Sequence, residues 1–147
     1  MMKSRRLNLP TVMVSGGFDP IHGGHVQMIR DAAQRGNVIV VANSDEWLMR
    51  KKGYVFMSFE ERAKILREIK GVILVAAVND SDDTVCNAIQ MIRPDYFANG
   101  GDRGKSNTPE QDVCEKLGIE MLWGVGGDYK FNSSSDLAKN LIKNYPV

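Results

Sequence analysis

The feature that most constrains this chain is the turn Gly16-Gly17-Phe18-Asp19-Pro20-Ile21-His22-Gly23-Gly24-His25. It follows Thr11-Val12-Met13-Val14-Ser15, a β-branched apolar run that reads as a buried strand. It precedes a segment over 26–35 in which Val26, Ile29, Ala32 and Ala33 fall at helical spacing. A strand-to-helix turn of this kind belongs to an α/β fold, where ligands bind at the carboxyl ends of strands. Gly16 and Gly17 let the backbone approach a ligand closely, and Gly23 and Gly24 lie where the helix starts. Open N–H groups at that start, with the helix dipole behind them, favour an anion. His22 and His25, three residues apart in one turn, add donors for phosphate oxygens. The stretch is expected to grip a polyphosphate and stabilise it during reaction.

The rest of the 147 residues alternates between strand-like and helix-like patterns. The run 37–43 is nearly continuous Val and Ile, which points to a parallel sheet covered on both faces. Ser44 is a cap for a short helix through Arg50, followed by a basic loop, Arg50-Lys51-Lys52-Gly53. Ser58 and Glu61 form a capping box for a helix to about Lys70, which Gly71 ends. A third strand is expected over 72–78, then a cap-rich turn at Asp80 to Asp83 and a helix over 84–93 that Pro94 stops. A fourth strand at 95–98 leads into Asn99-Gly100-Gly101-Asp102-Arg103. Thr108-Pro109-Glu110 opens another helix, with proline at its first position, and Gly118 closes it. A fifth strand over 119–123 and a last helix from Ser134 to about Tyr145, capped by Ser133, complete the pattern. The expected fold class is α/β, a doubly wound five-stranded parallel sheet. It forms a single domain over 11–147 behind a flexible tail over 1–10.

Composition removes several function classes. A net charge of +1 gives no broad electrostatic footprint for nucleic acid. Cys86 and Cys114 are too few for a disulfide framework and read as small core residues. No apolar run is long enough for a membrane span, and the tail has no apolar stretch of a secretory leader, so a cytoplasmic protein is expected. Two glycine-rich stretches are decoys. Gly104-Lys105-Ser106 ends like a P-loop, but Asn99 stands where that motif needs glycine. Gly124-Val125-Gly126-Gly127-Asp128-Tyr129 has Tyr129 in place of the last glycine of a dinucleotide fingerprint.

The pattern Gly-Phe-Asp-x-x-His-x-Gly-His after a first strand, here Gly17 to His25, resembles the nucleotidylyltransferase superfamily that bears the His-x-Gly-His signature. That superfamily includes glycerol-3-phosphate cytidylyltransferases and heptose-phosphate adenylyltransferases. The resemblance implies a Rossmann-like fold and transfer of a nucleoside monophosphate onto a phosphorylated acceptor, with release of pyrophosphate. CTP with a phosphorylated alcohol or sugar, such as glycerol 3-phosphate, is the first expectation. ATP with a sugar phosphate is the alternative, and a catalytically silent nucleotide sensor is another. Mg2+ is expected to arrive with the triphosphate, with no metal held by the protein, and the chain is expected to form a homodimer.

The same resemblance implies roles for individual residues. His22 and His25 bind triphosphate oxygens and stabilise the transition state at the α-phosphorus. Lys51 or Lys52 reaches the phosphates as a mobile point charge. Gly16, Gly17, Phe18 and Gly24 line the nucleotide, with Phe18 filling the space beneath the loop. Arg62, in Glu60-Glu61-Arg62, lies near the nucleotide. Gly101 and Asp102 meet the base or ribose, and Arg103 helps hold a phosphate. Ser133, Ser134 and Ser135 bind the β- and γ-phosphates at a second helix start. Asp19 bonds the turn's backbone and stands with Arg103 and Lys130 on the acceptor side. The glycerol-phosphate branch carries an arginine before the serine segment; here Asp128-Tyr129-Lys130-Phe131 has none, and Lys130 is the available cation.

Overall fold

The structure, a computed structural model, describes residues 8–99, 108–126 and 134–144. Five parallel strands, β1 (Thr11–Gly16), β2 (Asn37–Ala42), β3 (Val72–Ala77), β4 (Tyr96–Ala98) and β5 (Glu120–Leu122), form one sheet in the order β3-β2-β1-β4-β5. Among the described residues six helices accompany them: α1 (Gly23–Ala33), α2 (Asp45–Lys52), α3 (Phe59–Arg67), α4 (Cys86–Ile92), α5 (Pro109–Leu117) and α6 (Ser134–Asn144). The chain steps from β1 outward through β2 to β3, then returns to β4 on the other side of β1. Strand order therefore reverses at β1. The crevice beyond its carboxyl end is where α/β sheets bind ligands, and the glycine-histidine turn opens there.

The sheet is apolar on both faces, as a parallel sheet covered by helices must be. All six residues of β2 are buried. Along β1 the side chains alternate. Val12 and Val14 pack with Ile29 and Ala32 of α1 and Ala63 and Leu66 of α3. Met13 packs on the opposite side with Ile89 of α4 and Cys114 of α5. Each such large aliphatic side chain contributes roughly 1.5–3 kcal/mol on burial. Cys114 is fully covered and Cys86 half-buried. Burial pushes the Cys114 thiol up to about 11, so it behaves as a small apolar residue.

Several boundaries differ from the sequence reading; α3, expected to run to about Lys70 and end at Gly71, stops at Arg67 with Glu68 as its C-cap. α1 starts at Gly23, because His22 caps it, three residues before the apolar pattern begins. α2 runs on to Lys52, where Gly53 at φ 81° donates to the Met49 carbonyl and closes the helix. Arg50, Lys51 and Lys52 thus occupy its last turn, where cations face the negative end of the dipole, and do not form a loop. Pro10 is not part of a free tail: its carbonyl accepts from the Asn37 amide at 2.8 Å. Residues 1–7 lie outside the described residues. Among the described residues, no helix is long and apolar enough to cross a membrane.

Candidate active site

The turn after β1 caps its own helix with imidazoles. His22, extended at φ −144°, is the N-cap of α1. Its Nδ1 accepts from the Gly24 amide at 3.1 Å, and the Nδ1 of His25 accepts from the His22 amide at 3.1 Å. The two rings stack with centroids 3.8 Å apart and planes 24° apart. Because each Nδ1 is an acceptor, the hydrogen-bond network assigns the ring hydrogen of each neutral imidazole to Nε2. His25 stays neutral at ordinary pH: burial, then the neighbouring His22 and Lys52, lower its pKa to about 4. His25 therefore carries its hydrogen on Nε2, with Nδ1 taken by the His22 amide. Gly24, expected to turn its amide to an anion, spends that amide on His22. The imidazoles stand where a free helix end was expected.

Phe18 lies between the glycines and the histidines. It holds a left-handed backbone, φ 53°, which costs a non-glycine residue about 1–3 kcal/mol and persists only where its surroundings enforce it. Its side chain is 2% exposed, and its ring meets that of His25 edge-on at 4.9 Å. It fills the space beneath the loop and is covered, which leaves no face of the ring for a nucleotide.

Two residues assigned to ligands have their polar atoms turned inward. The carboxylate of Asp19, fully buried, accepts from the amides of Phe56 at 2.7 Å and Met57 at 2.6 Å. It bonds backbone as expected, but another segment's backbone, and it has no exposed surface for an acceptor. Arg62 is also fully buried. Its Nε donates to the Met57 carbonyl at 3.0 Å and its Nη1 to the carbonyls of Gly17 at 2.7 Å and Asn43 at 2.8 Å. Its Nη2 pairs with Asp45 at 2.7 Å. This guanidinium is spent on the loops after β1 and β2, not on a nucleotide. A Cβ on Gly17 would come within 3.1 Å of the Leu48 side chain and 3.5 Å of the Trp47 ring, a tight approach that Leu48 would have to yield to.

The two lysines, equivalent in sequence, separate here. Lys52 donates to the Asp19 carbonyl at 2.8 Å and lies close enough to help lower the pKa of His25. Lys51 is exposed, its Nζ 6.0 Å from the centre of the Trp47 ring. At the far end of the chain, the Ser134 hydroxyl opens α6 and donates to the Pro20 carbonyl at 2.9 Å. The serine segment and the histidine turn do converge, 114 residues apart. Gly101, Asp102, Arg103, Lys130 and Ser133, and the side chain of Ser135, lie outside the described residues.

Sequence reasoning missed Asn43 and Asp80. Asp80 accepts from the Asn43 side chain at 3.1 Å and from the Ser44 amide at 2.8 Å and hydroxyl at 2.6 Å. Burial would raise this carboxyl, but those hydrogen bonds outweigh it and hold it below the usual range. Asn43 in turn donates its amide to the Gly16 carbonyl. The loop after β2 is thus tied both to the histidine turn and to the loop after β3. Nothing local marks Asp80 among its polar neighbours at 79–83. A depression between α1 and the amino ends of β2 and β3, lined by Arg30, Gly36 and Lys70, does not include His22, His25 or Lys52.

A cytidylyltransferase-like family profile matches residues 13–140. The chain is 30% identical over 146 residues to the bifunctional protein HldE of Syntrophotalea carbinolica, covering 96% of this chain and 29% of that protein. It is 35% identical over 138 residues to the D-beta-D-heptose 1-phosphate adenylyltransferase of Bordetella bronchiseptica, covering 91% of this chain and 83% of that one. It thus spans under a third of the bifunctional relative's length and most of the adenylyltransferase's. In fold it is similar to a lipopolysaccharide core biosynthesis protein from Thermoplasma volcanium, with a TM-score of 0.63 at 24% identity over 78% of this chain and 93% of that one.

Proposed function

This chain is a nucleotidyltransferase domain of the cytidylyltransferase-like family, and we propose that it transfers AMP from ATP to a sugar 1-phosphate. The name of the Bordetella relative, a heptose 1-phosphate adenylyltransferase, favours ATP over the CTP that the sequence placed first. CMP transfer to a phosphorylated alcohol is the second reading, kept because the segment over 100–107, expected to meet the base, is outside the described residues.

The observation that carries the reading is the reciprocal capping of His22 and His25, which fixes both rings beside the carboxyl end of β1 and, in the neutral His25 ring, puts the hydrogen on Nε2. An oxygen of the acceptor phosphate attacks the α-phosphorus in line. The bond from that phosphorus to its bridging oxygen breaks, and pyrophosphate leaves with the electron pair. The acceptor phosphate is already an anion, so no base is needed to deprotonate it. The imidazoles donate to the oxygens on which charge builds, and they do so without a proton transfer. Lys52 supplies a cation at the same edge. The start of α6, which Ser134 ties to the turn, faces the triphosphate from the other side.

Mg2+ enters with the nucleotide as part of the substrate, where it neutralises phosphate charge. The carboxylate nearest the histidines in sequence, Asp19, is already taken by two amides and gives that ion no ligand. The test is pyrophosphate release with ATP or CTP against a panel of sugar 1-phosphates and phosphorylated alcohols. Release with ATP and a sugar 1-phosphate supports the proposal. Release with CTP alone selects the second reading. Nucleotide binding without release across the panel overturns both and leaves a sensor.

A further inference from the structure

The geometry points to Asp19 and Arg62 as positioning residues that act through Phe18: by pinning the chain on either side of it, they press its ring against His25 and fix where that imidazole aims its Nε2. The inference rests on the proposed role of His25 and adds what sets its direction.

The contacts form a closed ring. Arg62 holds the Gly17 carbonyl just before Phe18, and the same guanidinium holds the Met57 carbonyl. The Met57 amide, one peptide unit away, binds the carboxylate of Asp19, just after Phe18. The Phe56 amide binds the other carboxylate oxygen, and Lys52 holds the Asp19 carbonyl. Phe18 thus has a fixed residue on each side, and its left-handed φ of 53° is the conformation that this ring of contacts leaves it. Its side chain can then lie only under the turn, where a Cβ on Gly16 would come within 3.4 Å of its ring. There it meets His25 edge-on. His25 has two further restraints, the stack with His22 and the hydrogen bond from the His22 amide. Those two belong to the turn itself. The Phe18 contact transmits the position of α3 and of the segment over 53–57 to the imidazole. A guanidinium buried with four hydrogen bonds to backbone and carboxylate is a costly way to fill space, and a fitted device for holding two loops in register.

Three variants test the idea: Asp19→Asn, which keeps shape but can accept from only one of the two amides; Phe18→Leu, which keeps bulk but loses the ring; and Arg62→Lys, which cannot reproduce the fork. Each is measured for thermal unfolding, for kcat and nucleotide KM, and for the His25 tautomer by nitrogen chemical shifts. The wild-type protein is expected to show a single Nε2–H tautomer. Folded Asp19→Asn and Phe18→Leu proteins are expected to show a mixture, with kcat down at least about tenfold and nucleotide KM changed less than about twofold. Should Asp19→Asn not fold, Phe18→Leu decides. Full kcat in the folded variants overturns the inference, whatever the tautomer, and so does a lower kcat with the His25 tautomer unchanged. His25→Ala with full turnover would instead remove the reading on which it rests, while leaving the tautomer result intact.

Discussion

The ammonium of Lys52 lies 2.8 Å from the carbonyl oxygen of Asp19, so the last turn of α2 is fastened to the histidine turn. Lys51, its neighbour in sequence, is exposed and rests near the Trp47 ring. Lys52→Met is therefore expected to lower turnover at least about tenfold, the loss of one charged donor, while Lys51→Met changes it less than about twofold. Steady-state pyrophosphate release on both variants decides. Equal losses would contradict the assignment of the phosphate-facing role to Lys52.

His22 and His25 act as one unit because each imidazole needs the other's segment for its orientation. His22→Ala and His25→Ala are each expected to lower kcat by roughly 10²–10³. The double variant is expected to fall little further than the worse single one. Losses that multiply would mean that the two rings work independently.

The depressed pKa of His25 ties stability to pH. The folded ring stays neutral down to about pH 4, whereas the unfolded ring takes up a proton below about 6.5. Between these values the unfolded state binds more protons, so acid favours unfolding. His25's contribution is complete above pH 6.5 and is lost as pH falls towards 4, by about 3 kcal/mol at most. Urea denaturation at pH 7 and pH 5 is expected to show a larger drop for the wild-type protein than for His25→Asn. Equal drops would mean that the ring is not held neutral by its surroundings.

Asp80 satisfies three donors on Asn43 and Ser44. Asp80→Ala leaves them without an acceptor beneath the loop after β2 and is expected to cost about 2–4 kcal/mol in urea denaturation. Asp80→Asn is expected to cost less than half of that. Its remaining oxygen keeps two donors, and the Ser44 hydroxyl can turn to accept from the new amide. A harmless Asp80→Ala would show that this loop does not depend on the carboxylate.

The sequence by itself determined the architecture. Near-continuous apolar runs such as the one over 37–42 form strands wherever helices cover both sheet faces, and Ser44, Ser58, Thr108 and Gly118 carry local capping chemistry that reads off directly. The histidine turn was legible for the same reason, since its residues are contiguous. Tertiary structure decided which polar groups face a ligand. Arg62 and Asp19 look like exposed binding residues in sequence, yet both are buried and bonded to backbone 19 to 45 residues away. Lys51 and Lys52 differ only by the 100° that one residue turns on a helix. A hydrogen bond depends on where two distant segments meet, and that is set by the packing of strands and helices, which no local pattern encodes.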